Sequence, residues 1–387
     1  MPELPEVETI RRTIAPAIVG KKITRVEVLT PKMVLGATPA ELWEALRDRC
    51  FSSLRRRGKY LVLELGEPFP RRGDNEDHLL AEPASSRSTG LASPRSGGPD
   101  QGEQPWRQRD WVVIHLKMAG RLLIHRADDL IAKHTHVVWG FTDGTELRYI
   151  DLRHFGRVVF WRGNDPAVAV GTAASSNARV DRHEKGGPGR GQSGHTVSGT
   201  TPTGRPGGLS LAWRYGPQDP QQGLNQANPS EKDAMGREAL LAGLIHLGPE
   251  PLSPDFTVNY LMEELALHKG RIKPLLLDQT FLAGLGNIYA DEVLFQAAIH
   301  PEREARSLAQ DEATRLHAAI REILTRAIEL RGTTFATYVD GEGKKGEFAS
   351  RLSVYGREGE PCPRCGNPIQ RRKVGGRSAH FCPACQR

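Results

Sequence analysis

The chain has 387 residues and a formal net charge of +7, from 53 Lys+Arg against 46 Asp+Glu. At the usual ~100–200 residues per domain it holds about two domains and can bury real cores, which excludes a disulfide-stapled mini-protein. Only 38% of residues are apolar and 6% aromatic, while Gly and Pro number 41 and 27, so part of the chain is expected not to fold.

Residues 331–387 carry 11 Lys+Arg and 5 Asp+Glu, so +6 of the +7 falls in the last 57 residues. A basic cluster of that kind points to a polyanion partner, and equally fits a solvated basic tail. The opening Met1-Pro2-Glu3-Leu4-Pro5-Glu6 has no apolar core stretch and does not read as a secretory signal. No window reaches the ~20 apolar residues of a membrane span. One isolated Cys50 and a tight quartet at 362–385 is not a secreted disulfide framework. A soluble protein of a reducing compartment is expected.

Val7, Ile10 and Ile14 recur at helical spacing, so 5–17 reads as a short amphipathic helix. Strand patterns follow at 22–30, 51–57, 60–65, 111–118, 121–125, 136–142, 145–150 and 157–162, with a hairpin turn at Asp143-Gly144. Thr38-Pro39-Ala40-Glu41 is a capping box that opens a helix to about Asp48. Two stretches break the pattern. Residues 66–109 hold 12 Gly+Pro in 44 positions, and residues 171–210 hold 23 Gly, Pro, Ser and Thr in 40. Such compositions bury too little surface to offset chain entropy, so 66–109 and 164–230 are expected to be disordered insertions. From 231 the pattern is helical. Ser253-Pro254-Asp255 caps a helix to about 268, a short helix covers 273–279, and the turn Leu282-Ala283-Gly284-Leu285-Gly286 leads into a helix at 287–297. A long helix covers 309–330 and stops at Gly332. A Gly-rich turn between helices suits helix-turn-helix geometry and also an ordinary bundle corner.

Cys362-x2-Cys365 and Cys382-x2-Cys385 form two thiolate knuckles with Gly375-Gly376 midway for a hairpin turn. Together they make a closed four-sulfur site for one structural zinc ion. Arg371, Arg372, Lys373 and Arg377 lie on the hairpin between the pairs, suited to phosphate contact. At the other end, removal of Met1 would leave Pro2 as a secondary α-amine with a pKa near the ~8 of α-amines. Such an amine can attack an aldehyde-like carbon and give an iminium intermediate. Glu3 and Glu6 lie within one turn of it, placed for proton transfer and for orienting the amine. Pro and Glu are also simply favoured in a first helical turn.

Read together, these features resemble the formamidopyrimidine-DNA glycosylase family of bacterial base-excision repair enzymes. The resemblance rests on Met1-Pro2-Glu3-Leu4-Pro5-Glu6-Val7-Glu8-Thr9, Arg57-Gly58-Lys59-Tyr60-Leu61, His115-Leu116-Lys117-Met118, Asp151-Leu152-Arg153-His154-Phe155-Gly156, Leu285-Gly286-Asn287-Ile288-Tyr289 and Cys362 to Cys385, in family order. It covers nearly the whole chain outside the two insertions. It implies an α+β multidomain fold. A catalytic unit at 1–163, an N-terminal helix plus a β-sandwich, is followed by a helix-two-turn-helix unit at 231–340 and a zinc-finger hairpin at 341–387.

The resemblance also implies roles. Pro2 would attack C1′ of the damaged nucleotide, with Glu3 as proton donor and acceptor at the sugar and Glu6 in support. Lys59 would contact the phosphate by the lesion and assist β-elimination, and Arg377 would bind the next phosphate and assist δ-elimination. A glycosylase must flip its base out of the duplex. Met118, Arg153 and Phe155 would fill the gap, although a lone Met and Phe in strands otherwise read as core. His134, Lys273 and Asn287 would contact phosphates, Asn287 through the positive end of its helix. Thr333, Thr334 and the Lys344-Lys345 loop would close over the flipped base.

The chain departs from the family at Lys117, where Gly is usual, and at Leu152, His154 and His268. The expectation is a monomeric, cytoplasmic, bifunctional glycosylase and abasic-site lyase for oxidised purines in double-stranded DNA, associated with the nucleoid. The alternatives are an endonuclease VIII-type enzyme for oxidised pyrimidines and a non-catalytic zinc-ribbon DNA-binding protein. Leu4 and the Arg153-x-Phe155 loop favour the oxidised-purine enzyme over the endonuclease VIII type, and the non-catalytic alternative would need neither Pro2 nor Glu3.

Overall fold

The computed structural model describes residues 1–67, 109–167, 213–215 and 231–387. In chain order the elements are α1 (Leu4–Ile18), β1 (Ile23–Val28), β2 (Val34–Leu35), α2 (Pro39–Leu46), β3 (Cys50–Arg57), β4 (Tyr60–Gly66), β5 (Arg109–His115), β6 (Gly120–Arg126), β7 (Thr135–Phe141), β8 (Thr145–Asp151), β9 (Arg157–Gly163) and β10 (Trp213–Tyr215). They continue as α3 (Glu231–Ile245), α4 (Val258–Leu267), α5 (Ile272–Leu277), α6 (Asn287–Gln296), α7 (Gln310–Glu329), β11 (Gln370–Val374) and β12 (Arg377–Phe381).

The strands form two five-stranded sheets, ordered β10-β1-β7-β8-β6 and β2-β9-β5-β4-β3. Their facing sides, with the Val7, Ile10, Ile14 and Ile18 stripe of α1, make one core. The second sheet is buried on both faces. Along β4, Leu61, Leu63 and Leu65 point into the sandwich, while Tyr60 and Val62 pack with Leu240, Leu241 and Leu244 of α3 on the outside. This explains the near-continuous apolar run of β4. A second core joins α4 to α7, and Leu4, at the start of α1, belongs to it rather than to the sandwich. Residues 4 and 7 thus tie the two bodies together through one helix.

Several expectations need correction. The two expected insertions fall mostly outside the described residues, but their margins do not. β4 runs through Gly66, β5 starts at Arg109, and Trp213–Tyr215, inside the expected 164–230 insertion, pairs antiparallel with β1 (Val26 opposite Tyr215). Ser253 does not start α4. Its hydroxyl accepts the Asp255 N–H at 3.0 Å in a tight turn, and Thr257 caps the helix by accepting from Tyr260 N–H at 3.1 Å. The strand expected at 111–118 ends at His115, because Lys117 turns the chain at φ +50°. Met118 and Phe155 are therefore on loops, 44% and 50% exposed, and are not core residues.

Candidate active site and zinc finger

The N-terminus is docked into the turn before α6. Leu4 N–H donates to Gly284 O at 3.0 Å, and the Glu3 carboxylate accepts from Ile288 N–H at 3.1 Å and Tyr289 N–H at 3.4 Å. Glu3 thus occupies the positive end of α6. The glycines of the turn are there to admit these residues. A Cβ on Gly286 would lie 2.3 Å from Glu3 Cδ, and one on Gly284 would lie 2.7 Å from Leu4 Cβ. Asn287, the expected phosphate contact at this helix end, shares it with Glu3, which takes the N–H groups of the next two residues. Asn287 itself is half-buried on the wall of an open cleft of about 500 Å³ that Arg377, Arg371, Tyr355 and His380 also line.

Glu6 is equally enclosed. Its carboxylate accepts from Tyr289 Oη at 2.5 Å, Thr333 N–H at 2.7 Å and Glu3 N–H at 2.8 Å. A Cβ at Gly332, which sits at φ +78°, would meet it at 2.8 Å. Burial raises both carboxyls. Glu3 is pushed up to about 7 by desolvation, against the pull of Lys59 and the two helix N–H groups. Glu6 is raised by desolvation against the Tyr289 hydroxyl and backbone donors. Tyr289, which the sequence motif includes without a role, encloses Glu6 through its hydroxyl, which also lies 3.0 Å from Thr333 Oγ1.

Lys59 is not a strand residue. It lies in the two-residue turn between β3 and β4, after Gly58 at φ +54°. It is 7% exposed, and its ammonium donates to Leu285 O at 2.7 Å. Desolvation lowers its pKa against the attraction of Glu3 and Glu6, with Arg377 and Lys117 pushing the same way as burial. Glu250, not singled out in the sequence, anchors the turn. It accepts from Gly58 N–H at 2.6 Å and Arg56 Nη1 at 2.7 Å.

Pro2 is buried, and with Met1, Met118, Leu152, Arg153, Ile288, Thr333, Phe335 and Tyr338 it lines a cleft of about 270 Å³. Met118 and Arg153 both line it, and the Arg153 guanidinium lies 5.0 Å from the ring centre of Phe155. Asp151 shapes their loop by accepting from Arg153 N–H at 2.9 Å and Gly156 N–H at 2.8 Å. His134 sits beneath it at φ +66°, its ring centre 5.9 Å from that of His154. Thr334 accepts Gly346 N–H at 2.9 Å, tying the 333–346 loop to itself, while Lys344 and Lys345 are exposed at its far side.

Lys273 is a correction. It was expected to reach a phosphate, but its side chain is fully buried and its ammonium is committed to Asp291 Oδ1 at 2.6 Å and Ser378 O at 2.5 Å.

The four Cys Sγ atoms all lie within 4.8 Å of one another, with Cys362–Cys385 at 3.9 Å and Cys365–Cys382 at 3.5 Å. Four sulfurs about 2.3 Å from a common centre have edges close to these, so the set fits one tetrahedral zinc ion. Arg364 N–H donates to Cys362 Sγ at 3.4 Å and Asn367 Nδ2 to Cys365 Sγ at 3.6 Å, a support suited to thiolates. No position is left open, so the ion is structural.

Family models agree with this arrangement. The formamidopyrimidine-DNA glycosylase N-terminal domain matches residues 1–158, the H2TH domain of the same enzymes matches 247–339, and the zinc finger found in FPG and IleRS matches 359–387. The formamidopyrimidine-DNA glycosylase of Symbiobacterium thermophilum is 38% identical over 100% of this chain and 89% of its own length. The chain belongs to the formamidopyrimidine-DNA glycosylase family. The enzyme of that name from Pelotomaculum thermopropionicum is 35% identical, over 100% of this chain and 99% of its own. A mutant Lactococcus lactis FPG in complex with a Fapy-dG containing DNA has a TM-score of 0.65 at 29% identity, covering 100% of both chains. The chain is accordingly a DNA glycosylase with an α+β fold and a zinc finger. Among the described residues no helix is long and apolar enough to cross a membrane.

Proposed function

We propose that this glycosylase removes oxidised purines such as 8-oxoguanine and formamidopyrimidines from duplex DNA and then cuts the strand by β- and δ-elimination. The observation that carries the reading is Glu3, a buried carboxyl near pKa 7 on the α6 N-terminus, next in sequence to Pro2 and electrostatically coupled to Lys59. A carboxyl of that pKa gives and takes protons at neutral pH.

Once Met1 is removed, the Pro2 nitrogen attacks C1′ and the bond from C1′ to the base breaks. Protonated Glu3 donates at the sugar, and the base leaves with the bonding electrons. The nitrogen gives up its own proton, which the departing base takes up, and the lone pair this frees opens the C1′–O4′ bond to an iminium, with O4′ keeping the proton from Glu3. Loss of a C2′ proton expels the phosphate on the 3′ side. Loss of a C4′ proton expels the one on the 5′ side. Lys59, next to Glu3, stabilises the phosphate by the lesion, and Arg377 faces the next one across the finger cleft. Glu6 holds the Glu3 backbone, and Met118, Arg153 and Phe155 fill the helix when the base is out.

The reading assigns catalysis to 1–163, DNA docking to 231–340 and phosphate grip to 341–387. It makes the protein a cytoplasmic monomer that associates with the nucleoid through DNA.

The test is a borohydride trap. With an 8-oxoguanine:cytosine duplex the purified protein should form a covalent adduct at Pro2, and a residue inserted before Pro2 should abolish it. Normal DNA binding with no adduct on either oxidised-purine or oxidised-pyrimidine duplexes would refute the reading.

A further inference from the structure

Lys273, Asp291 and His380 are packed together beneath the zinc hairpin, and none of them lines the Pro2 cleft. Asp291, on α6, is fully buried. One of its oxygens accepts from the Lys273 ammonium at 2.6 Å, and the other accepts from His380 N–H at 2.9 Å and contacts His380 Nδ1 at 3.1 Å. Lys273, on α5, also donates to the carbonyl of Ser378 at 2.5 Å. Ser378 and His380 belong to β12, and Arg377 is its first residue. The strand is therefore pinned at two points, one directly after Arg377. A third contact holds the turn before it: Gly375 lies so close to α5 that a Cβ there would be 2.5 Å from Pro274 Cγ. The Arg377 side chain is exposed and has no hydrogen-bond or ion-pair partner among the described residues, while its backbone pairs opposite Val374.

The connection to the catalytic end is short. α6 carries Asp291 one turn beyond Asn287, and its Ile288 and Tyr289 N–H groups hold Glu3. A buried ion pair is a poor device for stability, since desolvation offsets much of its attraction, but it fixes geometry because neither charge can be left alone. Here the fixed quantity is the placement of the Arg377 strand on the helix that holds Glu3.

We propose that Asp291, with Lys273 and His380, is a positioning network that sets where Arg377 meets the DNA and thereby how far strand cleavage proceeds beyond β-elimination. The proposal rests on the reading of Arg377 given above. It predicts that loosening the network leaves chemistry at C1′ intact and slows only the second elimination, in which a C4′ proton is lost and the 5′ phosphate leaves.

The experiment uses the full-length zinc-loaded protein on duplex DNA carrying a preformed abasic site, and reads the ratio of δ- to β-product together with the rate of borohydride trapping. Asp291→Asn should lower the δ/β ratio about tenfold, as expected for a misplaced group, with trapping changed less than about twofold. The double variant Lys273→Met, Asp291→Leu replaces the ion pair with apolar groups and keeps the fold without a buried lone charge. It should give the same split. Arg377→Ala is the reference. If Arg377→Ala lowers the ratio and neither network variant does, the positioning role is overturned. If both network variants lose trapping and δ-product in proportion, the network is merely structural and the proposal also fails. If Arg377→Ala leaves the ratio unchanged, it is the reading of Arg377 that fails.

Discussion

Burial lifts the Glu3 carboxyl to about 7 while Lys59 and two helix N–H groups pull it down, so its proton is shared between states in the range where the enzyme would work. The same shift fixes its effect on stability. The ordinary value is 4.5, so between pH 4.5 and about 7 the folded chain keeps a proton that the unfolded chain releases. The stability this contributes is present below 4.5 and is lost as pH rises through about 7. The loss is bounded by about 3 kcal/mol, at 1.36 kcal/mol per pKa unit. Glu3→Gln removes the charge and keeps an acceptor for α6. It should slow base excision at least about a hundredfold, the scale of a general acid–base group. Relative to the native protein it should also gain stability at pH 8 and not at pH 4. Urea midpoints at the two pH values measure this, and equal gaps would mean Glu3 does not titrate as described.

At the scale of elements, the site depends on backbones approaching closely. Gly286 admits Glu3, and Gly156 leaves room for the Tyr149 hydroxyl, which a Cβ would meet at 2.0 Å. Gly286→Ala should displace the Glu3 carboxyl from α6 and reduce borohydride trapping about a hundredfold, the cost of misplacing a catalytic group by about 1 Å. DNA affinity should fall far less, which separate binding and trapping assays would reveal. The rim loops predict the opposite split. Met118 and Phe155 are exposed side chains on loops, with no core to hold them in place. Met118→Ala with Phe155→Ala should slow action on an oxidised base, which must be flipped, and spare a preformed abasic site, which needs no base extruded. Equal losses on both substrates would remove the wedge assignment.

Across the whole molecule, what was legible in the sequence was whatever repeats with a period or carries its own chemistry. The strands and helices came within a few residues of place, and the Cys quartet at 362–385 needed no tertiary knowledge. The positions that were misread are those decided by distant partners. Lys273 is a surface cation by type and a buried one only because Asp291 and Ser378 arrive from elsewhere. Glu3 reaches the Ile288 N–H of α6 from 285 residues away in sequence, and Trp213–Tyr215 is a strand because β1 offers an edge. The basic C-terminal region was legible as charge but not as a distribution. On the finger hairpin, Arg371 and Arg372 face Glu358 and Glu302 at 3.3 and 3.4 Å, whereas Lys373 and Arg377 have no ion-pair partner among the described residues.

That distribution makes the finger's contribution to DNA binding countable. Its core is small, Cys362, Ile369 and Cys382 packed on Phe295 and Val354, so the hairpin depends on the metal and the rest of the molecule does not. Cys382→Ser should release zinc and melt the hairpin while the sandwich and the α4–α7 core stay folded. With two free cations lost, the plot of log affinity against log salt should flatten by about 2, near 0.9 for each phosphate contact given up. Metal content, circular dichroism and a salt titration of DNA binding test this together. A zinc-free protein with an unchanged slope would show that Lys373 and Arg377 do not reach the backbone, and would leave the charge of this end as solvation.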